Sequence, residues 1–193
     1  MKTKVLLSVF LLGITCAYVS GQQYAIDKGA KFISGTITYE NQGGDLYLYP
    51  GDKRISTFTL TPSFNGFIAK NIYLGGGMAF TRTSQGSVNV NDLQIGPVIG
   101  IAAGDSTSTA FPYFDISLRY CTGSINTDIS MDHTKDSGTN FVLSGGLIVQ
   151  LRPHCGFVFE VGYNMLKMKP EGSKTYTKGN IFTVGIGLVG LLY

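Results

Sequence analysis

The stretch from Thr57 to Phe67 alternates apolar and polar residues without interruption. One face carries Phe58, Leu60, Pro62, Phe64 and Gly66, and the other carries Thr57, Thr59, Thr61, Ser63 and Asn65. This period of two residues predicts a β-strand. The polar face has no charged residue, whereas a soluble sheet normally keeps lysine and glutamate on its wet side. Small neutral polar groups are typical of a strand with lipid on one face and a crowded polar lumen on the other.

A second alternating stretch follows directly after a predicted tight turn at Ala69-Lys70-Asn71. Its outward series is Ile72, Leu74, Gly76, Met78 and Phe80, and its inward series is Tyr73, Gly75, Gly77, Ala79 and Thr81. Two alternating stretches joined by a short turn predict a β-hairpin. We interpret this segment as one hairpin of a barrel.

The amino terminus has the parts of a secretory signal peptide. Lys2 and Lys4 precede an apolar run from Val5 to Ile14, and Val19-Ser20-Gly21 supplies the residues that a signal peptidase reads. Cys16 lacks the Leu-x-Gly or Leu-x-Ala context of a lipoprotein site, so a lipid anchor is the less favoured interpretation. Residues 1–21 are therefore predicted to be a signal peptide.

Cleavage before Gln22 leaves residues 22–193 as one domain. Removal of Lys2 and Lys4 lowers the net charge from +3 to +1, so no basic surface suggests a nucleic-acid partner. No later segment contains the roughly 18 apolar residues of a transmembrane helix. The mean hydropathy is nevertheless slightly positive, which favours a membrane β-barrel over most secreted soluble domains.

Alternation along the rest of the chain predicts six further strands, for eight in total. They are strand one at Phe32–Glu40, strand four at Asp92–Ala103, strand five at Pro112–Thr122, strand six around residues 140–151, strand seven at Gly156–Met165 and strand eight at Asn180–Tyr193. An even number of strands of about ten residues each suits a small transmembrane barrel.

The predicted connections alternate in length. Residues 41–54, 84–91, 123–138 and 167–179 are long polar loops, whereas the connections after strands two, four and six are short. This alternation is typical of an antiparallel up-and-down transmembrane barrel with longer extracellular loops, short periplasmic turns and both termini in the periplasm.

Aromatic residues test the predicted register. Those on the outward face at the loop ends of their strands are Tyr39, Phe58, Phe80, Tyr120, Phe141, Tyr163 and Phe182. Such a ring is typical of an interfacial girdle. In strand eight, where both faces are apolar, placing Phe182 outward puts Thr183, Gly185 and Gly187 in the lumen. Tyr193 then falls in the opposite register, for which a bulge or a frayed end is the available explanation.

With its signal peptide, eight amphipathic strands, Gly96-Pro97 pair and carboxy-terminal aromatic residue, the chain resembles the small OmpA/OmpX-like outer-membrane β-barrel (porin-like) family. The sequences from Thr57 to Ser63 and from Asn71 to Gly75 are similar to segments of barrels common in Bacteroidota. The resemblance covers the whole mature chain and implies an outer-membrane location. It says little about activity, and no peptidoglycan-binding domain is expected after the barrel.

The charged residues within the strand cores are Asp115, Arg119 and Glu160, and all three are predicted to point inward. A charge on the lipid face would cost a few kcal/mol at mid-membrane, which explains this placement. The simplest interpretation is an ion-pair plug in a narrow lumen. A role in translocation or gating is the alternative.

Two other motifs have simple explanations. Gly185 to Gly190 matches the dinucleotide-binding fingerprint, but that motif must open a helix within a βαβ unit. Small residues that allow a narrow barrel to close are the better explanation, so no cofactor is expected. Cys121 and Cys155 are predicted to lie near opposite ends of the barrel, beyond the reach of a disulfide.

The two histidines, His133 and His154, are also predicted at opposite ends of the barrel, so no metal site or histidine-based triad is expected to use both. Asp132, Ser130 and Ser137 lie near His133 in the sequence and form the one hydrolase candidate, for which a solvated loop is the favoured interpretation. The chain is therefore expected to have no catalytic activity.

The loops are rich in small polar residues, and Tyr47 and Tyr49 are aromatic candidates for recognition in the first one. We expect a monomeric, non-enzymatic barrel in contact with outer-membrane lipid, with a structural, adhesive or surface-recognition role toward a ligand or host component. A small diffusion pore is the alternative. A soluble lipocalin-like carrier is the third possibility, but it would place charged residues outside and apolar residues inside.

Overall fold

The computed structural model describes residues 25–42, 54–86, 88–105, 108–127, 130–170, 172 and 175–193, which form a closed barrel of eight antiparallel strands. The strands are β1 Lys31–Gln42, β2 Ile55–Ala69, β3 Ile72–Gln85, β4 Val88–Ala102, β5 Ala110–Thr127, β6 Ser130–Arg152, β7 Cys155–Pro170 and β8 Thr177–Leu192. Each strand pairs with the next one in the chain, and β8 returns to pair with β1. The predicted up-and-down barrel is confirmed. The predicted signal peptide and the loop that carries Tyr47 and Tyr49 lie outside the described residues.

The two ends of the barrel differ in their connections. The turn end carries the β2–β3, β4–β5 and β6–β7 connections, and the opposite end is called the loop end below. At the turn end, Asn71 adopts a φ of 68°, a left-handed conformation that asparagine tolerates better than most residues. Its carbonyl accepts a hydrogen bond from the backbone N–H of Ala102 at 2.8 Å, which ties two neighbouring turns together.

The strands are longer at the loop end than their sequence pattern suggested. Most of the predicted loop at 84–91 belongs to β3 and β4, which pair up to Gln85↔Val88. Much of the predicted loop at 123–138 belongs to β5 and β6, and Gly123 pairs with Asp136. The outward residues of these segments, such as Asn89 and Asn91, are polar, so the segments lack the apolar outward face by which the strands were predicted. Their backbone ladder simply continues beyond the apolar part of the barrel.

The outward face carries the apolar belt that the sequence predicts. All seven aromatic residues of the predicted girdle are exposed on this face, from Phe141 at 37% to Phe182 at 67%. Partner strands bring them together in register, as in Tyr39↔Phe58 and Tyr163↔Phe182. No helix in the described part of the chain is long and apolar enough to cross a membrane.

The turn half of the lumen is filled by apolar side chains, which the sequence analysis did not predict. Phe32, Phe67 and Tyr73 pack as a trio with ring centroids 5.0–5.7 Å apart. Further buried residues complete this apolar plug: Val98, Ala102, Phe111, Ile148, Val158, Val189 and Leu191. The expected polar lumen therefore lies mainly in the loop half of the barrel, although Asn65, paired with Phe32, is a buried polar residue beside the plug.

Residues 25–30 cover the turn end of the plug. Ile26 is buried among the plug residues, and its carbonyl accepts a hydrogen bond from the N–H of Asn71 at 3.0 Å. Gly29 donates to the carbonyl of Phe67, and Phe67 donates to the carbonyl of Ala30, both at 2.8 Å. These bonds hold the segment across the end of the barrel.

Tyr193 extends the inward series of β8. The ladder is regular up to Lys31↔Leu192, so the explanation by a bulge or a frayed end is wrong. The Tyr193 hydroxyl donates to the carbonyl of Pro153 at 2.5 Å and accepts from Nε2 of Gln150 at 2.9 Å. The last residue therefore fastens the end of β8 to the β6–β7 turn.

Candidate functional site

Above the plug, the loop half of the lumen encloses a cavity of about 500 Å³, called the cup below. Eight threonines line it: Thr36, Thr38, Thr57, Thr59, Thr61, Thr81, Thr83 and Thr183. They lie there because the polar face of β2 and its neighbours points inward, as the alternation predicts. The threonines thus give the wall of the cup many neutral hydrogen-bonding groups.

Threonine hydroxyls face one another across neighbouring strands. Thr57 and Thr83 are joined by a hydrogen bond of 3.2 Å, and Thr59 and Thr81 by another of 3.2 Å. Thr61 bonds to Thr36 on the other side of β2. Each hydroxyl has one donor and two acceptor positions, so it can still bond to a further group in the cup.

Carboxylates and tyrosines form the boundary between cup and plug. Tyr73 donates its hydroxyl proton to Asp115 Oδ2 at 2.9 Å, and Ser144 donates to Asp115 Oδ1. Tyr113 donates to Glu160 Oε2 at 2.8 Å. The aromatic rings belong to the plug while their hydroxyls satisfy the carboxylates, as buried charges require.

Two glycines make room for these tyrosines. A Cβ added at Gly100 would clash with Cζ and Oη of Tyr73, and one at Gly146 would lie 3.0 Å from Cε1 of Tyr113. A narrow barrel can hold bulky rings because small residues stand opposite them. This supports the interpretation of inward glycines as packing residues.

Arg119 is one of the residues that line the cup. Its Nε donates to Ser117 Oγ at 3.2 Å, and a Cβ added at Gly77 would lie 3.4 Å from its Nη2. The guanidinium therefore reaches β3 and is within electrostatic range of Glu160 and Asp115. The structure brings the three predicted residues into the lumen, where hydroxyl groups donate to both carboxylates. A direct ion pair among them stays a prediction.

An amide network, not singled out from the sequence, lies beside Arg119. Asn140 Nδ2 donates to Gln94 Oε1 at 2.8 Å and to Asn164 Oδ1 at 2.9 Å. Gln94 Nε2 donates in turn to Asp92 Oδ2 at 2.7 Å. The inward register of these residues was the available signal, but only the barrel's closure shows that they meet.

The remaining candidates for chemistry are placed as follows. Gly185 to Gly190 lies within β8, so it opens no helix. His154 Nδ1 lies 3.0 Å from the carbonyl oxygen of Leu191 at the turn end. Cys121 and Cys155 are both free. Among the described residues, no group of three or more histidine, cysteine or acidic side chains is placed to hold a metal ion.

The hydrolase candidate lies in β6. The backbone of Ser130, Asp132 and His133 belongs to that strand, while their side chains are outside the described part of the structure. Ser137 is exposed. The described residues therefore give no geometry for a catalytic triad.

Solved structures share this architecture. The crystal structure of Neisserial surface protein A aligns with a TM-score of 0.55 and 14% identity, covering 84% of this chain and 99% of that chain. The outer membrane protein OprG from Pseudomonas aeruginosa aligns with a TM-score of 0.58 and 15% identity, covering 89% and 100%. The chain has the fold of small outer-membrane β-barrels. No protein-family model matches it, and the search of curated proteins gives no match.

Proposed function

We propose that the protein is an integral outer-membrane barrel that does not conduct and acts through its loop end, in a structural, adhesive or surface-recognition role. The observation that carries this proposal is the arrangement of the lumen, in which a polar cup in the loop half lies above an apolar plug in the turn half. Such a barrel offers a surface for binding at one end and no wide path to the other.

The outward belt supports the location. Large apolar side chains such as Ile37, Ile95, Ile99 and Val184 are more than half exposed and lie around the whole ring. Soluble monomers rarely expose a contiguous apolar patch of more than a few hundred Å². A soluble carrier of the lipocalin type would reverse the two faces, with apolar residues lining the loop half of the barrel.

The plug favours recognition over the alternative of a small diffusion pore. Phe111 and Tyr73 are each 1% exposed, and Leu191 is 2% exposed. Solutes passing through the lumen would have to displace these side chains and the segment at residues 25–30. Eight-stranded barrels in general have interiors that side chains can fill.

The bonding within the lumen supports a non-enzymatic role. Glu160 and Asp115 accept hydrogen bonds from tyrosine and serine hydroxyls, and the guanidinium of Arg119 bonds to Ser117. These bonds favour a structural role for the three charged residues. No cofactor and no nucleic-acid partner are part of the proposal, and the barrel is proposed to act as a monomer in outer-membrane lipid.

A pull-down with the purified barrel tests the recognition role. Envelope and host-surface components are incubated with the full chain and with a variant in which residues 43–53, including Tyr47 and Tyr49, are replaced by glycine and serine. Both proteins are first checked for a heat-dependent shift on a denaturing gel, which reports the folded barrel. A component retained by the full chain and lost with the variant is the expected result, and retention of the same components by both proteins would contradict recognition through this loop.

A further inference from the structure

The seam between β1 and β8 is open at the loop end. Seven residue pairs join the two strands, from Lys31↔Leu192 to Ile37↔Ile186, whereas β1 and β2 share twelve pairs up to Gln42↔Ile55. β1 continues to Gln42 and β8 starts at Thr177. Residues 38–42 and 177–185 therefore run past each other without pairing across the seam.

The cup reaches the outer surface at this gap. Among its lining residues, Tyr39, Phe182 and Val184 belong to the outward series, and all three flank the seam. They are 64–67% exposed, compared with 37–58% for the other girdle residues. The lining of the cavity thus includes outward residues on both sides of the seam, so the cavity reaches the outer surface at the gap.

The gap lies at the level of the aromatic girdle. Tyr39 and Phe182 are girdle residues, and Val184 is the next outward residue of β8 toward the apolar belt. In the membrane location proposed above, on which this inference rests, the gap would face the boundary between acyl chains and head groups of the outer leaflet. Backbone groups exposed at that level need hydrogen-bond partners, because hydrocarbon supplies none.

Apolar and polar side chains both line the cavity on the β7–β8 side of the gap. Ile181 and Leu166 are apolar, and Thr183 and Asn164 beside them are polar. The charged lining residues are Glu40, Glu160 and Arg119, whose formal charges sum to −1, which disfavours an anionic guest. A volume of about 500 Å³ is within the range of small-molecule pockets.

We propose that this gap is a side entrance through which the cup binds a single-chain amphiphile with an uncharged, hydroxyl-bearing head group. The head group enters the cup and bonds to the threonines and to the open backbone edges. Its apolar tail stays between Tyr39 and Phe182 and continues into the lipid. The plug keeps the bound molecule from passing to the turn end.

Photolabelling tests the entrance. The barrel is placed in lipid vesicles that contain a monoacylglycerol with a diazirine near its head group, and labelled positions are mapped by mass spectrometry. Label on cup residues such as Thr183 and Leu166 is expected. Label confined to outward residues of the belt would overturn the proposal.

A second labelling experiment closes the gap with a reversible disulfide. Continuation of the Ile37↔Ile186 register would place Tyr39 opposite Val184, so Tyr39→Cys with Val184→Cys is designed to close it. The control is Tyr39→Cys with Phe58→Cys, at positions already paired. Cup labelling should fall at least tenfold in the oxidised seam variant, return on reduction and stay unchanged in the control.

Cup labelling that persists with the seam disulfide formed would contradict a side entrance. If that disulfide does not form, Thr183→Trp offers a second test, because the tryptophan side chain should fill the cup beside the gap. This variant should abolish cup labelling while the barrel still shows the heat-dependent gel shift. Unchanged labelling would count against the proposal. A fatty acid with the same chain and diazirine tests the head group. It should label the cup several-fold less than the monoacylglycerol, and equal labelling would overturn the preference for an uncharged head.

Discussion

A pair of arginine substitutions on neighbouring residues of β2 tests which face of the barrel meets lipid. Leu60 points outward and is 36% exposed, whereas Thr61 points inward and lines the cup. Leu60→Arg places a charge in the apolar belt, and Thr61→Arg places the same charge in a polar cavity. The first variant should therefore be less stable in a bilayer.

The expected difference follows from the position of Leu60 in the belt. It lies two residues from the girdle residue Phe58, about 7 Å along the strand. This is roughly halfway between the interface and the midplane of a belt about 25 Å tall, so the charge should cost about 1.5 kcal/mol. Loss of the leucine side chain from lipid adds about 1.5 kcal/mol.

Thr61→Arg should lower the free energy of unfolding by less. The Thr61 hydroxyl bonds to the side chain of Thr36 and lies 3.3 Å from its carbonyl oxygen, and a hydrogen bond of this kind contributes about 1 kcal/mol. The cup has space for a longer side chain, and Glu160 lines it. The free energies of unfolding of the two variants should therefore differ by about 2 kcal/mol.

Urea titration of the barrels in lipid vesicles, followed by the gel shift of unboiled samples, measures this difference. Leu60→Ala is the control that removes the apolar side chain without adding a charge, and it should account for about half of the Leu60→Arg effect. Equal stabilities of Leu60→Arg and Thr61→Arg, or the reverse order, would refute the assignment of the two faces of β2.

Three further experiments test the interior. Gly100→Ala should destabilise the barrel by about 1–3 kcal/mol through its clash with Tyr73, whereas the control Gly76→Ala meets nothing closer than 3.8 Å and should change the urea midpoint little. Tyr73→Phe should lower the free energy of unfolding by about 1.5–3 kcal/mol because the buried carboxylate of Asp115 loses a hydrogen-bond donor. The control Tyr120→Phe removes the hydroxyl of an outward, exposed residue and should be nearly neutral. Equal effects would contradict the hydrogen bond between Tyr73 and Asp115. A maleimide should modify Cys155, which is half-buried, faster than Cys121, which is fully buried. Mass spectrometry measures the two rates, and faster modification of Cys121 would contradict its burial.

Alternation predicted each of the eight strands and the faces of their side chains because lipid and lumen impose opposite demands on successive residues. The inward placement of Asp115, Arg119 and Glu160 followed from the same rule. The hydrogen-bond partners of these residues did not follow from the alternation. Tyr73 and Asp115 are 42 residues apart in the chain, and their contact depends on ring closure and on the glycine at position 100.

No comparable pattern in the sequence predicted the apolar plug. Phe32, Phe67 and Leu191 are each followed by another apolar residue, Ile33, Ile68 and Leu192, so the alternation is lost where the strands end. Burial of Ile26 depends on a segment outside the strands that folds back across the barrel. The gap at the seam is likewise a property of backbone pairing, which no residue pattern marks.

Planar-bilayer recording of the purified barrel tests the closed lumen most directly. The full chain should give no stable single-channel steps at neutral pH, because the plug fills the turn half of the barrel. A variant with Phe32→Ala and Phe67→Ala, checked for the heat-dependent gel shift, should admit water and give small steps. Stable steps from the full chain would contradict the plug as a seal and favour the diffusion pore.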